Sequence, residues 1–372
     1  MMTPPQSTVR VGIIGCGKIS DAYFKGCRQY PVLHVVACAD MDPARAQAKA
    51  AEQGIRANTV ADLLEATDVD LVVNLTIPAA HAEVNRAALR HGKHVYCEKP
   101  FALNITDGST VLNLARERRL LVGCAPDTLL GGGQQTARHA VDRGMIGRPL
   151  SALAFMLSRG HESWHPSPEF YYKDGGGPMF DMGPYYLTAL VNLLGPARSV
   201  FSTNAKAFDR RTITSQPLAG RVIEVEVPTH YSTVVEFANG CLATLIMSFD
   251  TPRGPALPRI ALYGSEASLE IPDPNTFGGT NKLYPLGAAG EIDLACSHSI
   301  DRGRGSGVAD MAYSVLRPGR SFRPTGELAQ HVLEIMESAD LSGRQGRKIT
   351  LNTTCAQPAA LPLDLGAEIL DA

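Results

Sequence analysis

Along the first third of the chain, short apolar runs alternate with stretches of helical spacing. Val9-Arg10-Val11-Gly12-Ile13-Ile14 reads as a buried strand, and a glycine turn behind it opens a helix that directs Ile19, Phe24 and Cys27 inward. His34–Asp40 reads as a second strand, ending on an acid. Pro43–Gln53 is an Ala-rich helix stopped by Gly54. Asp70–Leu75 is a further strand, Ala79–His91 a helix ending at Gly92, and Lys93–Glu98 and Arg119–Cys124 complete the set. Strands that alternate with helices predict a parallel, doubly wound sheet whose carboxyl ends share one edge.

The texture changes after about residue 125. A helix over Gln134–Arg143 ends in a Gly- and Pro-rich stop. Longer alternating runs follow at Leu150–Ser158, Ser199–Ala207, Tyr231–Phe237, Cys241–Phe249 and Arg259–Tyr263, with turns such as Ala238-Asn239-Gly240. This pattern predicts an α+β part with a mainly antiparallel sheet, open on one face. Residues 273–307, rich in Gly, Asn, Asp and Ser, read as a long surface excursion. A late helix over Gly326–Leu341 precedes Gly343, and the tail after about residue 355 carries no assignment.

The chain has 372 residues, 44% hydrophobic and 19% charged, a length at which two domains are the natural expectation. The division falls at 1–124 and 125–372. Lys and Arg number 35 against 37 Asp and Glu, so no cationic excess is available to neutralise phosphates, and nucleic acid is not an expected partner. No run is apolar enough to span a bilayer, and Met1–Ser7 lacks the pattern of a secretory leader. The eight cysteines are scattered without metal-ligand spacing, which predicts a reducing cytoplasm and neither disulfides nor a metal site.

Gly15-Cys16-Gly17-Lys18-Ile19-Ser20 lies between a strand and a helix. Gly15 allows the tight turn, and Gly17, without a Cβ, lets the backbone approach a pyrophosphate at the helix N-terminus. The third glycine of the usual fingerprint is replaced by Ser20. Asp40, at the end of the second strand, is placed to accept hydrogen bonds from ribose hydroxyls, and its charge would repel a ribose phosphate. NAD is therefore expected rather than NADP. Arg45 is the residue that could reverse this preference by turning toward a phosphate; the other reading is a solvated helix residue.

Tyr96-Cys97-Glu98-Lys99-Pro100 puts two charges at the end of a buried strand, where each must be paired or working. The segment Gly92–Pro100 resembles the hallmark of the Gfo/Idh/MocA family of oxidoreductases. The same resemblance takes in the glycine loop, Thr76-Ile77-Pro78 with His81, the Gly175-Gly176-Gly177…Asp181 block and the late helix. It implies a Rossmann domain that binds NAD. In that reading Lys99 stands beside the nicotinamide, Thr76, Ile77, Pro78 and His81 line the cofactor, and Glu98 contacts it or holds Lys99. It also implies a homodimer or homotetramer formed through the open face of the second sheet.

In the family the second block carries Asp and His facing substrate. Here Asp181 matches, while Tyr185 occupies the histidine position. Proton transfer then falls to Tyr185, to Lys99 or to a neighbouring histidine. Asp181 also reads as a helix cap. Tyr186 joins the candidate substrate residues, as do Asp127, at a strand end, and His161, Trp164 and His165 in the loop Arg159–Pro166. Aromatic rings stack on sugar C–H faces, while His and Arg bind hydroxyls or an anionic group. Arg317 and Arg320 are weaker anion-binding candidates. The implied activity is NAD-dependent oxidation or reduction of a secondary hydroxyl on a small carbohydrate-like substrate: a sugar, cyclitol or glycoside. The alternative with the same parts is an NAD-dependent glycosidase, with an anionic glycoside as a candidate substrate, that oxidises a ring hydroxyl transiently, eliminates the aglycone, adds water and returns the hydride.

Overall fold

The structure, a computed structural model, describes residues 8–252, 254–363, 365–367 and 370. The leader reading of Met1–Ser7 lies outside them. In chain order the first elements are β1 (Val9–Ile14), α1 (Ser20–Cys27), β2 (Leu33–Ala39), α2 (Pro43–Gln53), β3 (Arg56–Asn58) and α3 (Val60–Glu65). Next come β4 (Leu71–Asn74), α4 (His81–Arg90), β5 (His94–Cys97), α5 (Ile105–Arg118), β6 (Val122–Cys124) and α6 (Gly132–Asp142). Then follow β7 (Pro149–Leu157), α7 (Gly177–Leu194), β8 (Ala197–Ala205), β9 (Arg210–Thr212), β10 (Val222–Glu224), β11 (His230–Phe237) and β12 (Leu242–Ser248). The chain continues through β13 (Ile260–Gly264), β14 (Ala267–Ile271), β15 (Asn281–Pro285) and β16 (Ile292–Leu294), and finishes with α8 (Ser306–Leu316), α9 (Gly326–Gln345) and β17 (Ile349–Thr350).

The first sheet has the order β3-β2-β1-β4-β5-β6, with every neighbouring pair parallel. The direction of winding reverses between β1 and β4, and a doubly wound sheet binds its ligand at that switch point. β1 is buried almost throughout, as a central strand covered on both faces must be. Asp42 caps α2 by accepting from the backbone of Ala44 and Arg45, and Gly54 ends the helix in the left-handed conformation. Among the described residues the second sheet has nine strands in the order β16-β15-β14-β13-β7-β12-β11-β8-β17. It is antiparallel except where β12 runs beside β7. β11 shows one-face burial: Tyr231, Thr233, Val235 and Phe237 point to the core and alternate with more exposed residues.

Packing divides the chain into two compact units. One holds residues up to Gln135 with Ser297–Gln330 and the tail from Pro358; the other holds Thr136–Cys296 and His331–Gln357. Sequence had placed the division at 124 and assigned everything after it to one domain. The return of α8 to the first unit is the main difference. α8 packs on α1, β1, β5 and β6, and it is buried on nearly all sides, so it shows no amphipathic period to read.

Local readings are corrected in four places. Ile19 is exposed rather than directed inward. Residues 273–307 are not all excursion, because β15 and β16 extend the sheet there by hairpin pairing. The late helix runs through Gly343 to Gln345, with Gly346 taking the left-handed conformation that ends it. α5, capped by Asn104, was not read from sequence.

Candidate active site

The turn after β1 is built as a phosphate-approaching loop needs. Gly15 has φ +102°, and a Cβ there would lie 2.6 Å from the carbonyl oxygen of Leu75. A Cβ on Gly17 would meet nothing within 4 Å, so the backbone is open where a pyrophosphate would rest. Ser20 is buried and donates its hydroxyl to the Gly17 carbonyl at 2.6 Å, closing the turn in place of a third glycine. Asp40 accepts from the Cys16 backbone N–H at 2.8 Å and from the Asp42 N–H at 2.9 Å. The carboxylate is thus fixed beside the loop. Arg45 lies 3.8 Å from it, with more than half of its side chain exposed. Lys18 is exposed on the same turn.

Apolar side chains also face outward along this edge. Ile19 follows β1, Met41 (94% exposed) follows β2, and Ile77 (69% exposed) follows β4. Three exposed aliphatic groups past three strand ends offer flat cover for aromatic rings. The residues present therefore fit a dinucleotide. Met41 was missed from sequence, although an apolar residue directly after the acid at the end of β2 was a usable signal.

Thr76 and His81 are set by a buried network. Asn74 accepts from the Thr76 hydroxyl at 2.7 Å and donates to Asn85 at 2.7 Å. His81 is 1% exposed; its Nδ1 lies 2.6 Å from the Pro100 carbonyl and its Nε2 3.0 Å from that of Thr76. Carbonyls only accept, so both ring nitrogens donate and the ring is an imidazolium. Burial works against that charge, but Cys97 and the two carbonyls outweigh it and raise the pKa to about 9. His81 thus joins the Thr76 and Pro100 segments rather than lining the cofactor directly, and Pro78 opens the short turn between Thr76 and His81.

Glu98 accepts from Tyr23 at 2.8 Å and from the backbone N–H of its neighbour Lys99 at 2.8 Å. Arg304 lies 3.9 Å away. The carboxylate therefore fixes the main chain that carries Lys99, which is half-buried at the strand end. Asp127 is corrected as a substrate candidate. It is fully buried, accepts from the Gly305 N–H at 2.8 Å at the start of α8, and faces Arg304 at 3.5 Å. Burial raises its pKa. Arg320, read as an anion binder, is 2.7 Å from buried Asp310, and Arg317 lies over the Tyr313 ring.

In the second unit, α7 begins at Gly177 with Gly176 as its cap, so Asp181 is inside the helix and does not cap it. Asp181 and Tyr185, four residues apart, share one face. The loop after β7 brings His161 to them, with Nε2 3.4 Å from Asp181 Oδ2. His161 is buried and stacks on Tyr171 at 3.7 Å between ring centroids. Trp164 and His165 continue from it outward. Tyr186 is corrected: it is buried in the core and donates to the Phe155 carbonyl at 3.2 Å. Glu162, Arg211 and Asp250 form a buried charge network beneath this loop that sequence did not suggest. Among the described residues no group of three His, Cys, Asp or Glu is placed to hold a metal ion.

Two family models match in tandem. The oxidoreductase-family model with its NAD-binding Rossmann fold covers residues 9–125, and the GFO/IDH/MocA C-terminal domain model covers residues 134–270. The chain belongs to the Gfo/Idh/MocA oxidoreductase family. One member, the 1,5-anhydro-D-fructose reductase of Ensifer adhaerens, is 28% identical over 268 residues, 70% of this chain and 74% of that protein. The inositol 2-dehydrogenase of Ralstonia nicotianae is 34% identical over 151 residues, 38% of this chain and 44% of that one. Among solved structures, an NAD binding oxidoreductase from Klebsiella pneumoniae superposes with a TM-score of 0.80 at 22% identity, covering 93% of this chain and 99% of that one. That likeness establishes the shared fold. In this family member the first unit is an NAD-binding Rossmann domain, and the glycine loop with Asp40 lies within the part matched by the NAD-binding model.

Proposed function

We propose that the protein oxidises or reduces a secondary hydroxyl of a sugar, cyclitol or glycoside, and that the groups handling this hydroxyl are Lys99, Asp181, Tyr185 and His161. The observation that carries the reading is the imidazole 3.4 Å from Asp181, beside the tyrosine that stands where the family has its histidine. Sugar and cyclitol enzymes among the relatives support the substrate class.

NAD is held by Gly15, Gly17, Asp40, Thr76 and Ile77, with Lys18, Ile19, Arg45 and Pro78 bordering them. When bound, it supplies the acceptor or donor of a hydride. Lys99 hydrogen-bonds the reacting hydroxyl from a main chain that Glu98 keeps from shifting. Asp181 accepts from a substrate hydroxyl or from His161, which stands within reach to take up the proton of the reacting hydroxyl. Tyr185 orients a hydroxyl from the same helix face. His161 thereby brings an imidazole to the site from the loop after β7 rather than from α7.

The exposed face of the second sheet carries Phe201 opposite Val234, along with Leu242, Tyr263 and Tyr284. These apolar side chains support a homodimer or homotetramer formed through that face. The eight unbridged cysteines support a reducing, cytoplasmic setting. No helix of the described residues is long and apolar enough to cross a membrane.

The test is a panel of polyols, aldoses and glycosides with NAD, followed by absorbance of NADH. Stoichiometric NADH from one carbohydrate class is the expected result. Release of nitrophenol from nitrophenyl glycosides without net NADH would establish the redox-neutral glycosidase instead. Neither signal would remove the proposed substrate class.

A further inference from the structure

We propose that the loop over residues 159–172 is a stacking platform for a second sugar ring, so that the substrate is a glycoside or oligosaccharide larger than one ring. The proposal rests on the reading above, because His161 marks the end of the platform at which the reacting ring is held.

The rings of this loop form one connected series. Buried His161 stacks on Tyr171, with the planes 14° apart, and Tyr171 lies 4.0 Å from Phe170 between centroids. On its other side His161 meets Trp164 at 5.2 Å, and Trp164 meets His165 edge-on at 5.4 Å. The series begins beside Asp181 and ends at the surface, where Trp164 is 59% and Phe170 51% exposed. A lone exposed aromatic needs no explanation, but a continuous series that leaves a polar pair and opens to water does.

The loop is also held in shape at considerable cost. Glu162 accepts from Arg211 at 2.6 Å and from the Tyr172 hydroxyl, which in turn accepts from the His161 N–H at 3.1 Å. Arg211 also grips Asp250, whose other oxygen accepts from Thr229 at 2.6 Å. The Glu162 carbonyl accepts from the backbone of Thr214 and Ser215, both at 2.9 Å, and the Ser215 hydroxyl donates to the His165 carbonyl. Gly160 has φ +91°, and a Cβ there would come within 2.3 Å of Glu162 and Tyr172 oxygens. Withdrawing a cation and two carboxylates from water is unfavourable until their pairing offsets it. A network of that kind under an exposed aromatic arm presents the rings in one orientation, which is what tight stacking requires.

Three cations near the rings are already paired with carboxylates. Arg211, 5.2 Å from the Tyr172 ring, is neutralised by Glu162 and Asp250. Nearby Glu169 is paired with Arg221 and Lys173 with Glu226. A pyranose has an apolar C–H face for the indole and hydroxyls for imidazole, and Arg159, exposed at the start of the loop, is a further donor to a hydroxyl or an anionic group.

Trp164 is the single tryptophan of the chain, so its emission reports on the platform directly. NAD-loaded protein is titrated with glucose and galactose, then with cellobiose, maltose, lactose and melibiose. At least one disaccharide should bind five- to tenfold more tightly than its monosaccharide and shift the emission to the blue. Trp164→Ala, followed by calorimetry, should bring that ratio close to one, and Trp164→Phe should recover part of it. Equal affinity for the two classes, or a ratio that survives Trp164→Ala, overturns the platform. So does an emission shift produced by raising protein concentration alone, since a second copy would then cover the ring. Turnover of monosaccharides with no disaccharide advantage removes the platform and leaves the dehydrogenase reading standing. Neither NADH nor nitrophenol from any carbohydrate, with no disaccharide binding, removes both.

Discussion

The carboxyl edge of the first sheet and the aromatic loop of the second unit are both preorganised, but by different means. At the edge the backbone does most of the shaping: a left-handed glycine, a glycine with open space above it, and an acid gripped by two main-chain N–H groups. In the loop, side chains do it. Arg211 reaches from β9 to Glu162 and to Asp250 past the end of β12, and His161 reaches from the β7 loop to α7. A backbone device depends on a few adjacent residues and can be moved from protein to protein as a motif. A side-chain network depends on distant partners and exists only in the folded chain.

The largest expected effect tests whether Lys99 works or merely ends a strand. Lys99→Ala should lower kcat/KM by about a thousandfold, within the range for a positioned proton-handling group, while NAD binding stays measurable by calorimetry. Full turnover in this variant would leave the edge a binding surface only. Next, Arg211→Met takes the cation from between two buried carboxylates and should cost about 3–5 kcal/mol in urea unfolding. A loss below about 1 kcal/mol would mean that the loop is not held by that network.

His161→Gln keeps a hydrogen-bonding group but not a proton acceptor. About a hundredfold loss in kcat with little change in KM is expected, and a loss confined to KM would make His161 a binding residue. The edge can be split into shape and space. Gly15→Ala meets the Leu75 carbonyl at a positive φ and should lower stability by about 1–3 kcal/mol. Gly17→Val should leave the melting temperature nearly unchanged and weaken NAD about tenfold, because only the bound dinucleotide uses that space. Equal effects of the two on stability would refute the division.

The smallest effect is in pH. The folded pKa of His81 is raised to about 9, so its contribution to stability is complete below the ordinary histidine value and is lost as pH rises through about 9. Cys97, whose thiolate raises it, has its own pKa lowered to about 5 and the opposite dependence, so the pair leaves stability nearly level between about pH 6.5 and 9. In Cys97→Ala the pKa of His81 should fall, as followed by NMR titration; an unchanged value would mean that the thiolate does not raise it.

Much of the first unit was legible because its signals are local. The glycine turn, Asp40 at a strand end and Gly54 after a helix each state a backbone requirement in one or two residues. α8 was not legible, since burial on all sides erases the period that marks a helix. Asp127 and Tyr186 were read as substrate residues because strand ends and helix starts often carry function. Both proved to be interior, one satisfying the start of α8 and the other a strand carbonyl.

Sequence by itself determined the sheet class, the dinucleotide loop and the family, because these depend on short-range spacing and on residue types that few backbones tolerate. Only the tertiary structure decided that His161 stands beside Asp181, that Arg211 braces the loop and that His81 is a bridge inside the protein. The reason is physical: partners separated by 20 to 50 positions have no mutual signature along the chain, and their energies appear only when folding brings them out of water together.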